Sequence, residues 1–269
     1  MMWADGQDLL HAATIFAAGF LAGAINVVVG AGTLVSFPIL VLLGYPPLSA
    51  TVANTIGIVP GSVSGVIVYR HELRAHLPLV RTLLPASAGG AVVGAVTLLH
   101  LSAEVFTTVL PWLIGVGTLL VIAGPTIRRM IVRPTTDGDE APSSVFPRRG
   151  TRLASVAGAF LLGVYGGYFS AAQGILLIAL LGVTTTLLMQ ELNALKNLTV
   201  AVVNVIAATV FVCVSPNQIE WPVVALVAAG STAGGWVGGR FARRLPAGVF
   251  RAFVVIVGVA TVVALLVRR

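Results

Sequence analysis

Apolar residues in this chain gather into long uninterrupted runs separated by short polar, glycine-rich or arginine-bearing stretches. Windows of about 19 residues, with Pro, Gly and charge setting the breaks, give ten apolar segments. They lie near 10–29, 33–48, 50–69, 82–99, 104–125, 153–171, 174–189, 195–214, 221–239 and 249–267. Runs of this length are helical, since a transmembrane barrel would alternate polar and apolar positions over strands of about 10 residues. The predicted fold is all-α, a polytopic transmembrane helical bundle of 8–10 hydrophobic segments. Segments 33–48 and 174–189 are short. A helix rises ~1.5 Å per residue against a hydrocarbon core of ~30 Å, which predicts half-helices or re-entrant pieces there. The N-terminal MMWADGQDLLH is acidic where a cleavable signal is basic, and no small-residue cleavage site follows, so the first helix is expected to stay.

One long polar stretch, RRMIVRPTTDGDEAPSSVFPRRGTR, divides the chain. It predicts a first transmembrane repeat at 1–127, a cytoplasmic linker at 128–152 and a second transmembrane repeat at 153–269. The linker's Pro, Gly, Ser, Thr and acidic content reads as flexible. Each half holds five segments, so the second half is expected to enter the bilayer from the side opposite to the first. The arginines follow that inversion, coming after the third segment of the first half and after the fourth of the second. GFLAGAINVVVGAGTLVSFPILVLLG at 19–44 also has a loose echo in GAFLLGVYGGYFSAAQGILLIALLG at 158–182. Each reads as a Gly-rich helix, a small-residue break, an apolar run and a closing Gly, and an Asn-bearing helix start follows each, ATVANTIG and LNALKNLT. Two inverted repeats with interrupted helices are a usual plan for secondary transporters, whose sites lie between the halves near mid-membrane.

Composition agrees: 57% hydrophobic residues, 9% charged residues and a mean hydropathy of +1.01 lie far outside the soluble range. The net charge of +7 comes from fifteen arginines and one lysine against nine acids. Arg70, Arg74 and Arg81, the arginines of the linker, and Arg240, Arg243, Arg244 and Arg251 mark three loops expected to face the cytoplasm. HLSAE at 100–104, SPNQIE at 215–220 and the Asp5/Asp8 terminus are then expected outside, along with Arg268 and Arg269, which run against the rule. This is a multi-pass pattern of a bacterial inner membrane. Arginine loops near anionic lipid explain the charge without nucleic acid. The lone Cys213 cannot form an intrachain disulfide.

The phrase GFLAGAINVVVGAGTLVSFPILVLLGYPPLSATVANT has a Gly-rich break, a following Pro, a Gly-x-Pro-Pro turn and an Ala-x-x-x-Asn helix start. It resembles the sulfite exporter TauE/SafE family of probable membrane transporters. LNALKNLTVAVVNVIAATVFV resembles that family's other signature, and the resemblance runs from about residue 10 to residue 267. The breaks depart from the richer glycine run common in the family, reading Gly30-Ala31-Gly32-Thr33 and Ala171-Ala172-Gln173-Gly174. The resemblance implies a carrier of sulfite, sulfoacetate or another small organosulfur anion, moving it outward.

A small oxyanion leaving water needs hydrogen-bond donors and positive potential. Half-helix N-termini offer both, and Gly30, Gly32 and Gly174 would let a substrate approach such backbone closely; tight helix packing is their plainer role. Lys196 is the single lysine and opens an apolar run. Asn193, Lys196, Asn197, Val200 and Asn204 recur at spacings of three and four, a polar stripe on one helix face. The first-half counterpart is Thr51, Asn54 and Thr55, followed by Pro60, which is expected to kink or unwind its helix. Gln173 joins these candidates from the second break, with Asn26, Tyr165, Tyr168 and Ser170 behind them. Alternatively, Lys196 snorkels to the cytoplasmic interface with Glu191 nearby, and the asparagines hold helices together.

Glu72, Glu104, Glu191 and Glu220 stand at segment ends or in loops. A buried carboxylate relay is therefore not expected, and protons would travel on the substrate or through Glu191. His11, His71, His76 and His100 read as interfacial and bland. An intramembrane enzyme finds no support: there is no His-Glu-x-x-His, no paired intramembrane aspartate and no Cys/His metal spacing. No cofactor or metal is called for. The expected function is secondary transport of a small anion by alternating access, with a non-transporting membrane subunit or scaffold as the alternative. The expected partners are that anion and the lipid bilayer, and a homo-oligomer is compatible with the pattern.

Overall fold

The computed structural model describes residues 6–131, 145–146, 149–241 and 247–267. Arg268, Arg269, Asp5 and most of the expected flexible linker lie outside the described residues. Eleven helices follow one another among those described: α1 (Gly6–Val28), α2 (Thr33–Leu42), α3 (Pro47–Val68), α4 (Arg70–Ala75), α5 (Leu77–His100), α6 (Ala103–Ile131), α7 (Arg149–Tyr168), α8 (Gln173–Thr184), α9 (Met189–Val214), α10 (Trp221–Phe241) and α11 (Ala247–Val267). A 3₁₀ turn, Pro216–Gln218, joins α9 to α10. The ten apolar segments are all helical; the added element is α4, a single polar turn. The helices α6 and α7 reach into both ends of the expected linker. Among the described residues six helices, α1, α3, α5, α6, α9 and α10, are long and apolar enough to cross a membrane.

The two short segments are half-helices. At about 1.5 Å per residue, α2 and α8 cover only about half of a hydrocarbon core. Each follows a helix that stops in the same way. The Ile25 carbonyl accepts both the Val29 N–H (2.7 Å) and the Gly30 N–H (3.0 Å), with Gly30 left-handed at φ +84°. The Tyr165 carbonyl accepts the Phe169 N–H (2.9 Å) and the Ser170 N–H (3.3 Å), with Ser170 at φ +59°. A left-handed residue just past the last turn ends a helix and turns the chain. The half-helix α2 then returns to the start of α1, where Tyr45 meets His11 edge-on at 5.9 Å. Likewise α8 returns to the start of α7, where Ser155 donates to Thr184 Oγ1 at 2.7 Å. Pro60 does not unwind α3, which runs unbroken from Pro47 to Val68.

Contacts between loops sort the helix ends onto two faces. On the linker face, His76 Nε2 meets Glu191 Oε1 at 2.7 Å, the Thr186 N–H reaches the Val145 carbonyl at 3.2 Å, and Tyr69, Glu72 and Arg240 line one recess. On the opposite face, Ser49 donates to Gln218 at 3.5 Å. There, burial and the neighbouring Glu220 charge also hold the Tyr45 phenol above its ordinary pKa.

Packing repeats itself with the halves exchanged. The helix α1 lies along α10, α7 lies along α5, and α3 and α9 lie against each other. In the first seam Gly23 sits on the Ser231 backbone, and Gly234 and Gly238 sit on Phe20 and Ala24. In the second, Gly163 sits on the Ser87 backbone, and Gly90 and Gly94 sit on Phe160 and Val164. Glycines four apart let backbones touch, and dispersion then drives association where lipid supplies no hydrophobic force.

Candidate functional site

The two breaks meet. The Gly174 N–H donates to the Gly30 carbonyl at 3.1 Å, and a Cβ on Gly30 would stand 2.7 Å from the Gly174 Cα. Over this junction lies the stem of Lys196, whose Cδ would be 3.2 Å from that same Cβ. Lys196 is 0% exposed. Its Nζ donates to the carbonyls of Val27 (2.8 Å) and Asn26 (3.4 Å). These belong to the last turn of α1, whose carbonyls have no partner within the helix, and a cation there also meets the negative end of the helix dipole.

The snorkelling alternative for Lys196 is thereby overturned, because the side chain points into the bundle. Glu191 is engaged elsewhere: Oε1 pairs with His76 and Oε2 accepts the Leu188 N–H at 2.7 Å, closing the first turn of α9. His76, expected to be bland, ties α5 to α9. Among the described residues the buried charged side chain is Lys196, and no carboxylate is buried with it.

The expected candidates separate into neighbouring groups. Gly30, Gly174 and Lys196 form the centre. Gly32 packs on Ala22 and Asn26 of α1. Asn54 binds across to α2, accepting from Ser36 and donating to Thr33 Oγ1 at 3.4 Å; Thr55 is buried beside it on α3. Asn197 lies against Gly65 of α3, and its Nδ2 is buried without a partner. Asn26 and Asn204 both donate to Ser62, at 3.1 and 3.2 Å, and Ser170 donates to Asn204 Oδ1 at 3.0 Å. A hydrogen-bonded track thus links α1, α3, α9 and the second break. Gln173 is 0% exposed, with Nε2 on the Leu162 carbonyl at 3.1 Å and Oε1 unpartnered. Tyr165 also keeps an unpartnered buried hydroxyl. Most half-helix N–H donors are used internally: Leu34 and Val35 bond to Ala31 and Gly32, and Ile175 and Leu176 bond to Ala172.

On the linker face a cavity of about 40 Å³ adjoins the centre, lined by Val28, Val29, Ile175, Met189, Asn193 and Arg251 among others. Asn193 donates to the Met189 carbonyl at 3.0 Å. By sequence Arg251 counts among the loop arginines. Its position inside an apolar run, AGVFRAFVV, was the available signal. On the other side of the centre, Phe169 meets Phe37 at 5.2 Å and Phe106 at 6.5 Å, all edge-on and at most 1% exposed. Phe106 lies one turn into α6, so this cluster stands between the centre and the opposite face.

Residues 15–265 match the model of the family described as Sulfite exporter TauE/SafE. The chain is 30% identical over 266 residues to the Probable membrane transporter protein ORF9 of Sinorhizobium sp, covering 97% of this chain and 95% of that one. It is 26% identical over 169 residues to a Probable membrane transporter protein of Haemophilus influenzae, covering 63% and 60%. No solved structure matches. With a family match over nearly its whole length, apolar helices long enough to span a bilayer and paired half-helices at its centre, the chain belongs to the sulfite exporter TauE/SafE family and is a multi-pass membrane transporter.

Proposed function

We propose that this transporter sits in a bacterial plasma membrane with its linker face cytoplasmic and exports a small oxyanion, sulfite or a related organosulfur anion. Transport proceeds by alternating access between two inverted repeats divided at the linker. The observation that carries this reading is Lys196, a fully buried cation at the junction of both breaks with no buried carboxylate among the described residues. A cation placed there lowers the cost of bringing an anion into the bilayer interior, which an apolar bundle would exclude. In the present arrangement two α1 carbonyls occupy the ammonium. An arriving anion competes for it, and Asn197 supplies an amide donor beside it. The loop asymmetry in arginine supports the orientation, and the exchanged α1·α10 and α5·α7 seams support the repeats.

The test is sulfite flux in proteoliposomes, wild type against Lys196→Gln, with insertion and unfolding temperature matched. Loss of flux in the mutant alone supports the central cation. Equal flux removes Lys196 from the site, and no flux in either removes sulfite as the substrate.

A further inference from the structure

We propose that Arg251 and Asn193 form a recruiting site for small anions on the linker face, one helical turn short of Lys196. The proposal rests on the centre being the translocation site and deepens it. Three strands of observation converge on the cavity between α1, α6, α8, α9 and α11. First, its walls lead directly to the centre: Val28 and Val29 precede Gly30, Ile175 follows Gly174, and Asn193 lies three residues before Lys196, hence on the same face of α9. Second, among the described residues Asn193 and Arg251 are its polar lining side chains, the other seven being apolar or glycine. A cation in a low-dielectric recess focuses its field and concentrates counter-ions there. Third, the chemistry suits an oxyanion. The guanidinium keeps its charge at every working pH and presents a planar fork of N–H groups. The Asn193 amide, oriented by its bond to the Met189 carbonyl, carries a second N–H. A volume of about 40 Å³ exceeds the roughly 10–15 Å³ that a cavity needs to admit a water, which leaves room for a small inorganic ion. Anions gather at Arg251 and pass along the α9 face to Lys196.

The test reads charge in the cavity and needs no knowledge of the substrate. The exposed Cys213 is changed to Ala in the full-length chain, and a reporter is introduced as Ile178→Cys, with Met189→Cys as a second. Anionic and cationic methanethiosulfonates of equal size then modify the purified protein, and the ratio of their rates is measured. Relative to Arg251, Arg251→Gln is expected to lower the anionic preference by about tenfold, and Arg251→Lys to restore most of it. An unchanged ratio in Arg251→Gln at both reporters, or no modification at either, overturns the recruiting site. Sulfite flux in the same variants separates the two readings. A ratio that follows Arg251 while wild type moves no sulfite leaves the recruiting site standing and removes the substrate. Flux lost in Lys196→Gln with a ratio indifferent to Arg251 does the reverse.

Discussion

At the scale of single residues, the centre is held by a glycine contact and a lysine. Gly30 and Gly44 are both left-handed, at φ +84° and +95°, but a Cβ on Gly44 would meet nothing within 4 Å, whereas one on Gly30 would collide with Gly174. Gly44→Ala should therefore cost only the backbone term, about 1–2 kcal/mol. Gly30→Ala should add overpacking of about 1–3 kcal/mol and separate the breaks. Thermal unfolding in detergent measures the difference; equal losses would mean the two breaks do not touch. Lys196→Met keeps a stem over Gly30 and Gly174 but leaves the Asn26 and Val27 carbonyls without its bonds, at about 1–3 kcal/mol for a buried acceptor left unsatisfied. A stability unchanged in Lys196→Met would show that water or another donor replaces the ammonium. Lys196 stood out in the sequence as a lone cation opening an apolar run, with a site role and a snorkelling role both open. Its partners were not, because they are backbone carbonyls 170 and 169 residues away and every helix ends in such carbonyls.

At the scale of elements, the half-helices were legible in the shortness of segments 33–48 and 174–189 and in the small-residue breaks before them, although α2 and α8 end already at Leu42 and Thr184. Pro60 does not unwind its helix, one of its two expected effects, since a proline costs one helix hydrogen bond and packing by α9 and α10 keeps α3 helical around it. The two glycine seams were present as letters, Gly19 to Gly23, Gly90 to Gly94, Gly163 to Gly167 and Gly230 to Gly234 to Gly238. Which seam pairs with which is a three-dimensional fact. The proposed inverted repeats would make the seams equivalent, so on that proposal Gly90→Leu and Gly234→Leu should lower the unfolding temperature by similar amounts, reflecting at least the usual overpacking cost of about 1–3 kcal/mol. Gly115→Leu on α6, where an added Cβ meets nothing within 4 Å, should be tolerated. One glycine seam tolerating leucine while the other does not would argue against equivalent halves.

At the scale of the whole molecule, the described arrangement is asymmetric about its centre. A cavity lined by Val29, Ile175 and Asn193 lies on the linker face, while Phe37, Phe106 and Phe169 meet edge-on between the centre and the opposite face. The alternating access proposed above requires that asymmetry to reverse: the aromatic cluster must part while the linker face closes, with the His76–Glu191 tie between α5 and α9 as a contact available to hold one of the two proposed states. Edge-on aromatic pairs contribute about 0.5–1.5 kcal/mol beyond their burial, enough to set the balance between two states a few kcal/mol apart. Phe169→Leu retains an apolar side chain yet removes two of these contacts, so it should open the opposite face without unfolding the bundle. The measurement is accessibility of Ile178→Cys, in a Cys213→Ala background, to a membrane-impermeant thiol reagent applied to each side of vesicles of known orientation. With Phe169 in place, modification from the linker side should exceed that from the other side. In Phe169→Leu the opposite-side rate should rise about 5–30-fold, the population change that 1–2 kcal/mol produces. Labelling that stays confined to the linker side would mean that the aromatic cluster is core packing rather than a gate. Labelling predominantly from the opposite side with Phe169 intact would invert the assignment of the open face and require the anion to enter past the aromatic cluster first.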